Sequence, residues 1–161
     1  MTQIDFYILA EQSPMACALF TCKLVDKAYH LKHTIYVHTA NQSQAQQMNE
    51  LLWTFNPSSF LPHDLNEPDK NSEEPILIGY PQTGTQQTNS QPTSAPLTSA
   101  PQITRFHDVL VNLDQTVPAF FGQFERVAEI VSGDDNARNQ ARQRYKFYRD
   151  RGYSLNTHNI D

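Results

Sequence analysis

The chain has 161 residues, of which 39% are hydrophobic, and a formal net charge of −5 at pH 7. This length suits one domain with a buried core, and no apolar run is long enough to span a membrane. A net negative charge argues against a protein that binds nucleic acid over its whole surface. The first residues hold no basic and apolar leader pattern, so we expect a cytoplasmic protein.

The first part of the chain alternates strand patterns with helix patterns. Residues 4–9 are rich in strand formers, and residues 34–38 repeat that composition. Ser13 and Pro14 supply a capping hydroxyl and a first helical residue, and the polar residues 41–43 open a second helix. This strand-helix-strand-helix order favours a parallel sheet with right-handed crossovers.

The later part of the chain adds three strands and one long helix. Apolar runs at 75–79 and 108–113 predict buried strands, and the β-favouring residues in 124–131 favour a strand there. Asp134 begins a last helix and Gly152 ends it. We therefore predict a three-layer α/β fold. Its mostly parallel twisted sheet has about five strands, with helices on both faces.

One stretch departs from this pattern. Residues 82–102 consist almost entirely of Gln, Thr, Ser, Pro, Asn, Ala and Gly, with Leu97 as the one sizeable apolar side chain. Such a segment cannot offset the entropy lost on ordering. We predict a single domain over residues 1–161 that carries a low-complexity, disordered insertion at about 82–102.

The predicted topology is that of nucleotide-binding proteins, but the residues that bind phosphate are missing. The turn after the first strand, residues 10–14, contains no glycine, and phosphate-binding turns need glycine for close backbone approach. The histidines and cysteines show no metal-binding spacing, and no nucleophile motif occurs. We expect no catalytic residue, no metal and no cofactor, although acid–base chemistry by scattered carboxylates stays open.

A tryptophan on the second predicted helix is a candidate contact residue. Trp53 lies off the apolar stripe of that helix, and Phe60 follows in a polar loop. Aromatic anchors dominate interface energetics, which favours a docking surface here. The alternative is that Trp53 and Phe60 cover the sheet edge or each other.

The last helix concentrates the positive charge. Of the twelve Lys and Arg residues, six lie between Arg138 and Arg151. Arg142 and Arg149 lie beside a stripe of small residues and tyrosines that includes Tyr145. Guanidinium groups next to an aromatic stripe suit an acidic peptide with an apolar end. A solvated basic face and direct contact with nucleic-acid phosphates remain alternatives.

Several blocks of the sequence resemble a known family, the chi subunit of bacterial DNA polymerase III. The resemblance covers most of the chain and is strongest in its tail. The matching blocks are residues 6–9, 51–53, 60–65, 141–149 and 152–157. Members of that family are non-catalytic parts of the clamp-loader assembly with a nucleotide-binding-like fold and no nucleotide. The insertion at 82–102 is longer than the connection usual in the family.

The resemblance implies two partners for the chain. One is the psi subunit, and the other is the acidic, phenylalanine-ended C-terminal tail of single-stranded-DNA-binding protein. Four residues are implied on or near the psi-facing surface: Trp53, Phe60, Pro62 and His63. Six are implied in or beside the tail pocket: Val131, Arg138, Arg142, Tyr145, Lys146 and Arg149.

These implications define the expected function. We expect an adaptor for DNA replication that is a monomer when isolated and a heterodimer with psi, and that meets nucleic acid only indirectly. The competing hypotheses are a module that binds single-stranded nucleic acid directly and an enzyme that uses a nucleotide.

Overall fold

A computed structural model describes residues 2–55, 61–65, 74–81 and 108–160. In these ranges the chain forms seven strands and three α-helices. The strands are β1 (Gln3–Leu9), β2 (Ile35–His38), β3 (His63–Leu65), β4 (Ile76–Gly79), β5 (Val109–Asn112), β6 (Arg126–Val131) and β7 (Ser154–Ile160). The helices are α1 (Pro14–His30), α2 (Gln42–Thr54) and α3 (Asp135–Asp150), with a short 3₁₀ helix at Phe121–Gln123.

The strands form one sheet in the order β3-β4-β2-β5-β6-β1-β7. All neighbouring strands in this sheet run parallel. Parallel neighbours require crossover connections, and helices follow three of the described strands: α1 follows β1, α2 follows β2 and α3 follows β6. α1 and α2 cover one face of the sheet and α3 covers the other. β3 therefore lies at one edge of the described sheet and β7 at the other.

The two faces of the sheet bury different kinds of side chain. Alternation along β2 shows the division, because Ile35 and Val37 point to one face and Tyr36 to the other. The face under α1 and α2 is mainly aliphatic, and we call its core the aliphatic layer; examples are Val25, Met48, Leu52, Ile76 and Ile78. The face under α3 is rich in rings, and we call its core the aromatic layer; examples are Phe6, Phe120, Phe121, Phe124 and Tyr148.

The helices α1 and α2 begin where the sequence predicts. Ser13 Oγ accepts a hydrogen bond from the Met15 N–H at 3.1 Å, and Pro14 occupies the first helical position of α1. The Asn41 side chain accepts one from the Gln44 N–H at 2.9 Å at the start of α2. These local contacts satisfy backbone donors that a helix start would otherwise leave unpaired.

The predicted α/β class is confirmed, but the predicted count of about five strands is wrong. The described sheet has seven, because the sequence prediction missed β3 and β7. β3 has only three residues, and β7 is a mostly exposed run of polar residues without a buried face. The predicted insertion at 82–102 lies outside the described residues. None of the described helices is both long and apolar enough to cross a membrane.

Candidate functional site

The basic helix α3 is held at both ends by local contacts that the sequence predicts. The Asp134 carboxylate accepts a hydrogen bond from the Ala137 N–H at 3.2 Å. This bond lowers the pKa of Asp134 and satisfies a donor of the first turn. At the other end Gly152 adopts a φ of +84°, a conformation that favours glycine, and its N–H donates to the Arg149 carbonyl at 3.0 Å. β7 follows directly after this turn.

A buried polar network fixes α3 on the sheet. Glu129 on β6 is 0% exposed. Its carboxylate accepts hydrogen bonds from Arg144 Nε at 2.8 Å and from the Tyr148 hydroxyl at 2.6 Å. The Asn112 amide donates to both carboxylate oxygens, at 3.1 and 3.0 Å. A second guanidinium nitrogen of Arg144 donates to the Gln115 carbonyl at 2.9 Å.

The electrostatics of this network follow from its burial. Burial raises the pKa of the Glu129 carboxyl, while the contacts with Arg144, Tyr148 and Asn112 act in the opposite direction. Burial and the Glu129 carboxylate together raise the pKa of Tyr148, so its hydroxyl remains a donor. Directed bonds of this kind hold α3 in one rotation about its axis. That rotation decides which basic side chains face the sheet edge.

The basic residues of α3 divide according to this rotation. Arg144 faces inward and is 6% exposed. Arg138, Arg142 and Arg149 lie on one outer side of the helix, because steps of four and seven residues bring a helix back to nearly the same direction. Arg149 is separated from Arg142 by seven residues, or about 10 Å along the axis.

A pocket of about 260 Å³ lies between α3 and the edge of the sheet. Its apolar floor is formed by Phe6, Ile8 and Val131. Ile8 pairs in register with Val131 on β6 and with Asn159 on β7, so these three form one row across the strands. The remaining lining residues are Arg138, Ala141, Arg142 and Tyr145 of α3, with Thr157 and Asn159 of β7.

The shape and charge of the pocket define what it can bind. The centroids of the Phe6 and Tyr145 rings lie 5.5 Å apart, so the Tyr145 ring continues the apolar floor toward α3. Arg142 is exposed, and one of its guanidinium nitrogens donates to Asn139 Oδ1 at 2.7 Å. A hollow with an apolar floor and guanidinium groups at its rim suits a ligand that combines an apolar group with a carboxylate.

The structure brings together four of the six residues predicted for the tail pocket: Val131, Arg138, Arg142 and Tyr145. Lys146 and Arg149 are exposed and do not line it. Arg149 Nε instead lies 3.7 Å from Asp150 Oδ1.

Sequence reasoning missed four lining residues: Phe6, Ile8, Thr157 and Asn159. The two-residue period of β1 could have placed Phe6 and Ile8 on one face. Thr157 and Asn159 could not be found, because no pattern predicted β7.

Three of the four predicted psi-facing residues, Trp53, Pro62 and His63, are described and lie near the opposite edge of the sheet. Trp53 at the end of α2 is 49% exposed. Its ring lies 4.4 Å from the ring of His63, which is 5% exposed. The His63 ring nitrogens lie 2.5 Å from the Leu61 carbonyl and 2.9 Å from the Asn49 carbonyl. His63 therefore supports Trp53 from beneath and presents little surface of its own.

Pro62, the other member of this set that the structure describes, is half-buried. Phe60 lies outside the described residues. Of the four predicted residues, Trp53 is thus the one that the structure shows as a large exposed apolar group. It lies beside His63 at the start of β3.

The turn after β1 is occupied by another loop of the protein. The Gly133 N–H donates to the Glu11 carbonyl at 2.8 Å. A Cβ atom at Gly133 would lie 2.4 Å from the Ala10 carbonyl oxygen, so this approach requires glycine. Backbone carbonyls of the turn thus face protein donors at the position where a nucleotide-binding sheet presents N–H groups to phosphate. Within the described ranges no group of three or more His, Cys, Asp or Glu residues could hold a metal ion.

Comparison with known proteins gives matches over nearly the whole chain. The family model described as DNA polymerase III chi subunit, HolC, matches residues 1–156. DNA polymerase III subunit chi of Pseudomonas aeruginosa is 32% identical over 160 residues, which cover 99% of this chain and 98% of that protein. The subunit chi of Haemophilus influenzae is 28% identical over 97% of this chain and 96% of its own length. That of Escherichia coli is 25% identical over 98% and 97%.

A solved structure also shares the fold. The crystal structure of T4 UvsW superposes with a TM-score of 0.62 at 8% sequence identity. The match covers 99% of this chain and 41% of the UvsW chain. At this identity the similarity concerns the architecture of the sheet and its helices alone.

Proposed function

The chain belongs to the DNA polymerase III chi subunit family, and on that premise we propose that it is a non-catalytic adaptor in DNA replication. In this proposal one surface binds the psi subunit of the clamp-loader assembly. Another binds the acidic C-terminal tail of single-stranded-DNA-binding protein. The observation on which the proposal depends is the pocket under α3, with its apolar floor and its rim of Arg138 and Arg142.

The pocket suits the chemistry of such a tail. A terminal phenylalanine side chain can lie on Phe6, Ile8 and Val131, while the terminal carboxylate pairs with a guanidinium group. A charge-assisted hydrogen bond contributes roughly 1.5–3 kcal/mol when it is shielded from water, and an exposed ion pair contributes about 0–1 kcal/mol. Since Arg138 and Arg142 are exposed, we expect moderate affinity that weakens with salt.

The psi-facing surface is assigned to Trp53 and its neighbours. Trp53 is half exposed and is held against the buried His63 ring, so its position is fixed before a partner binds. A pre-positioned aromatic side chain loses little conformational freedom on binding, which makes it an effective anchor. Pro62 adjoins this surface, and we assign Phe60 to it from the resemblance alone.

The proposal also fixes the remaining properties of the protein. We place it in the cytoplasm, as a monomer when isolated and a heterodimer with psi. It contacts nucleic acid through the coating protein, since a net charge of −5 opposes direct binding over its surface. It needs no cofactor and no metal in this role.

The first test is a fluorescence titration of the full chain with an acidic peptide that ends in phenylalanine, against the same peptide without that residue. We expect the second peptide to bind at least about tenfold more weakly. Arg142→Ala should weaken binding of the first peptide, whereas the matched control Arg151→Ala should not, because Arg151 stacks on Phe147 away from the pocket. Equal binding of the two peptides would remove the pocket from the proposal.

A second titration separates the adaptor from a direct nucleic-acid-binding module. The chain is mixed with a naked single-stranded oligonucleotide, and then with the same oligonucleotide coated by single-stranded-DNA-binding protein. The adaptor should bind the coated strand alone. Tight binding to the naked strand with a steep salt dependence would favour the direct module.

The psi surface is tested by co-purification of psi with the Trp53→Ala variant. Met15→Ala is the matched control, because Met15 is also a large exposed apolar residue, at 55% exposure, but lies on α1. We expect psi recovery to fall for the Trp53 variant only. Full recovery with both variants would show that psi binds elsewhere.

A further inference from the structure

β7 forms an edge of the sheet that is open in the described part of the chain. Within that part it pairs with β1 alone, in parallel register from Gln3 opposite Ser154 to Leu9 opposite Ile160. The strand has seven residues, most of them exposed. It contains no proline and no Lys, Arg, Asp or Glu, the residues with which proteins commonly block an edge strand. Its outer backbone groups are therefore suited to pairing with an added strand.

Backbone groups alternate in direction along β7, and this alternation shows which residues direct their N–H and C=O groups toward the open edge. The Ala10 N–H donates to the Ile160 carbonyl at 2.9 Å, so Ile160 directs its backbone groups toward β1. In a parallel strand the N–H and C=O of one residue point to the same side, and that side alternates along the strand. Thr157 and Asn159 therefore direct their N–H and C=O groups away from β1, toward the open edge.

The side chains of the same two residues line the pocket under α3. Thr157 lies opposite Phe6 and Asn159 opposite Ile8 in the register of the sheet. The pocket and the open edge thus share residues and form one continuous surface. Arg142 lines the pocket above them, so positive charge borders this surface.

We infer that an acidic peptide whose apolar terminal residue occupies the pocket continues as an eighth strand along the outer edge of β7. This inference rests on the proposed function for the identity of the peptide. Main-chain hydrogen bonds to Thr157 and Asn159 hold the added strand, and they require no particular side chain. Every second side chain of the strand points to the face of α3, where acidic groups meet Arg138 and Arg142.

The test compares two acidic peptides that end in phenylalanine, a short one that fills only the pocket and a longer one that extends past β7. Both are titrated against the full chain by fluorescence anisotropy. We expect the longer peptide to bind about tenfold more tightly, the contribution of one or two main-chain hydrogen bonds. The shorter peptide reports on the pocket alone.

Two substitutions at Thr157 separate the contribution of its backbone N–H to peptide binding from that of its side chain. Thr157→Pro removes the outward N–H and leaves the hydrogen bonds between β7 and β1 in place, which an edge strand tolerates. The matched variant Thr157→Ala removes the side chain and keeps the N–H. The tenfold advantage of the longer peptide should disappear in Thr157→Pro and persist in Thr157→Ala.

A measurement on the unaltered protein covers the case in which Thr157→Pro does not fold. Single N-methyl groups are placed along the backbone of the longer peptide. An added strand bonds β7 through every second residue, so methylation should weaken binding at alternate positions only. Uniform effects along the peptide would contradict strand addition.

The outcomes distinguish this inference from the proposed function. If the shorter peptide binds and the longer one binds no better, strand addition is overturned and the pocket stands. If neither peptide binds, both proposals fail. Equal losses in Thr157→Pro and Thr157→Ala also overturn strand addition. If the chain forms a dimer without peptide and Thr157→Pro abolishes that dimer, the edge binds a second copy of the chain. That result overturns strand addition by the peptide as well.

Discussion

The two faces of the sheet pack against their helices with different kinds of side chain. The aliphatic layer joins the sheet to α1 and α2 through side chains such as Val25, Met48 and Leu52, whose contacts are non-directional. The aromatic layer joins the sheet to α3 through rings and through the buried contacts of Glu129 with Arg144. The first arrangement depends on volume, whereas the second also depends on direction.

This difference bears on what a binding site can present. Both faces of the sheet keep a hollow: one of about 410 Å³ lies beside α1 on the aliphatic side, and the pocket of about 260 Å³ lies beside α3. The hydrogen bonds of Glu129 fix the rotation of α3, and this rotation places Arg138 and Arg142 at the rim of the pocket.

The largest expected effect comes from breaking the buried contact between Arg144 and Glu129. Arg144→Met leaves the Glu129 carboxylate buried without its cation, and we expect a loss of about 3–5 kcal/mol in the free energy of unfolding. The double variant with Glu129→Met should be less damaged than the sum of the two single losses, since both charges are then absent. Urea denaturation measures all four proteins. Simple additivity would show that the pair does not act as a unit.

The next effect tests the non-directional layer. Leu52 is 1% exposed, and Leu52→Ala should cost about 2–5 kcal/mol of unfolding free energy through the cavity it leaves. Binding of the phenylalanine-ended peptide by the folded variant should be unchanged, because the pocket lies on the other face. Denaturation and anisotropy measure the two quantities separately. A coupled loss of affinity would show that the layers are not independent.

A smaller effect tests whether Arg138 and Arg149, which both lie on α3, contribute differently to peptide binding. Arg138 lines the pocket, whereas Arg149 lies farther along the helix near Asp150. Arg138→Ala should weaken peptide binding by roughly fivefold to tenfold, and Arg149→Ala by less than about twofold. Both variants lose one positive charge, so a difference between them reports on position. Similar losses would indicate a diffuse electrostatic surface, which high salt would abolish equally for both.

The smallest effect concerns the loss of folding stability at low pH. Burial tends to raise the pKa of Asp114, but hydrogen bonds with His38 and with the Gln115 N–H hold it below its ordinary value. A carboxyl whose pKa is depressed by folding stabilises the protein above its unfolded pKa, about 4, and loses this contribution as pH falls through the folded value. Asp114→Asn should therefore flatten the fall in stability below about pH 4. Parallel pH profiles of the two proteins would contradict this.

The main elements of the fold could be predicted because local signals agreed with global packing. Ser13 and Pro14 begin α1, and Asp134 and Gly152 bound α3, as their capping chemistry requires. Buried runs such as β5 contain only residues that suit a covered parallel strand, apart from Asn112. These patterns arise within a few residues of the chain.

The site could be predicted only in part, for a physical reason. Helical periodicity placed Arg138, Arg142 and Tyr145 on adjacent lines of α3, so these residues were available to sequence reasoning. The inward direction of Arg144 depends on Glu129, which lies fifteen residues earlier on a different element. The contribution of Thr157 depends on strand pairing that no local pattern announces.

The order of the strands also sets a distance. Trp53 lies beside β3 at one edge of the sheet, and the pocket lies beside β7 at the other. Six inter-strand steps of about 4.8 Å separate those edges, or roughly 30 Å. At this distance, two partners that each bind one edge need share no residue of the chain. In the proposed adaptor the sheet is then a rigid spacer. A partner that binds weakly at one edge is retained better when the other edge is tethered, because tethering raises its effective concentration.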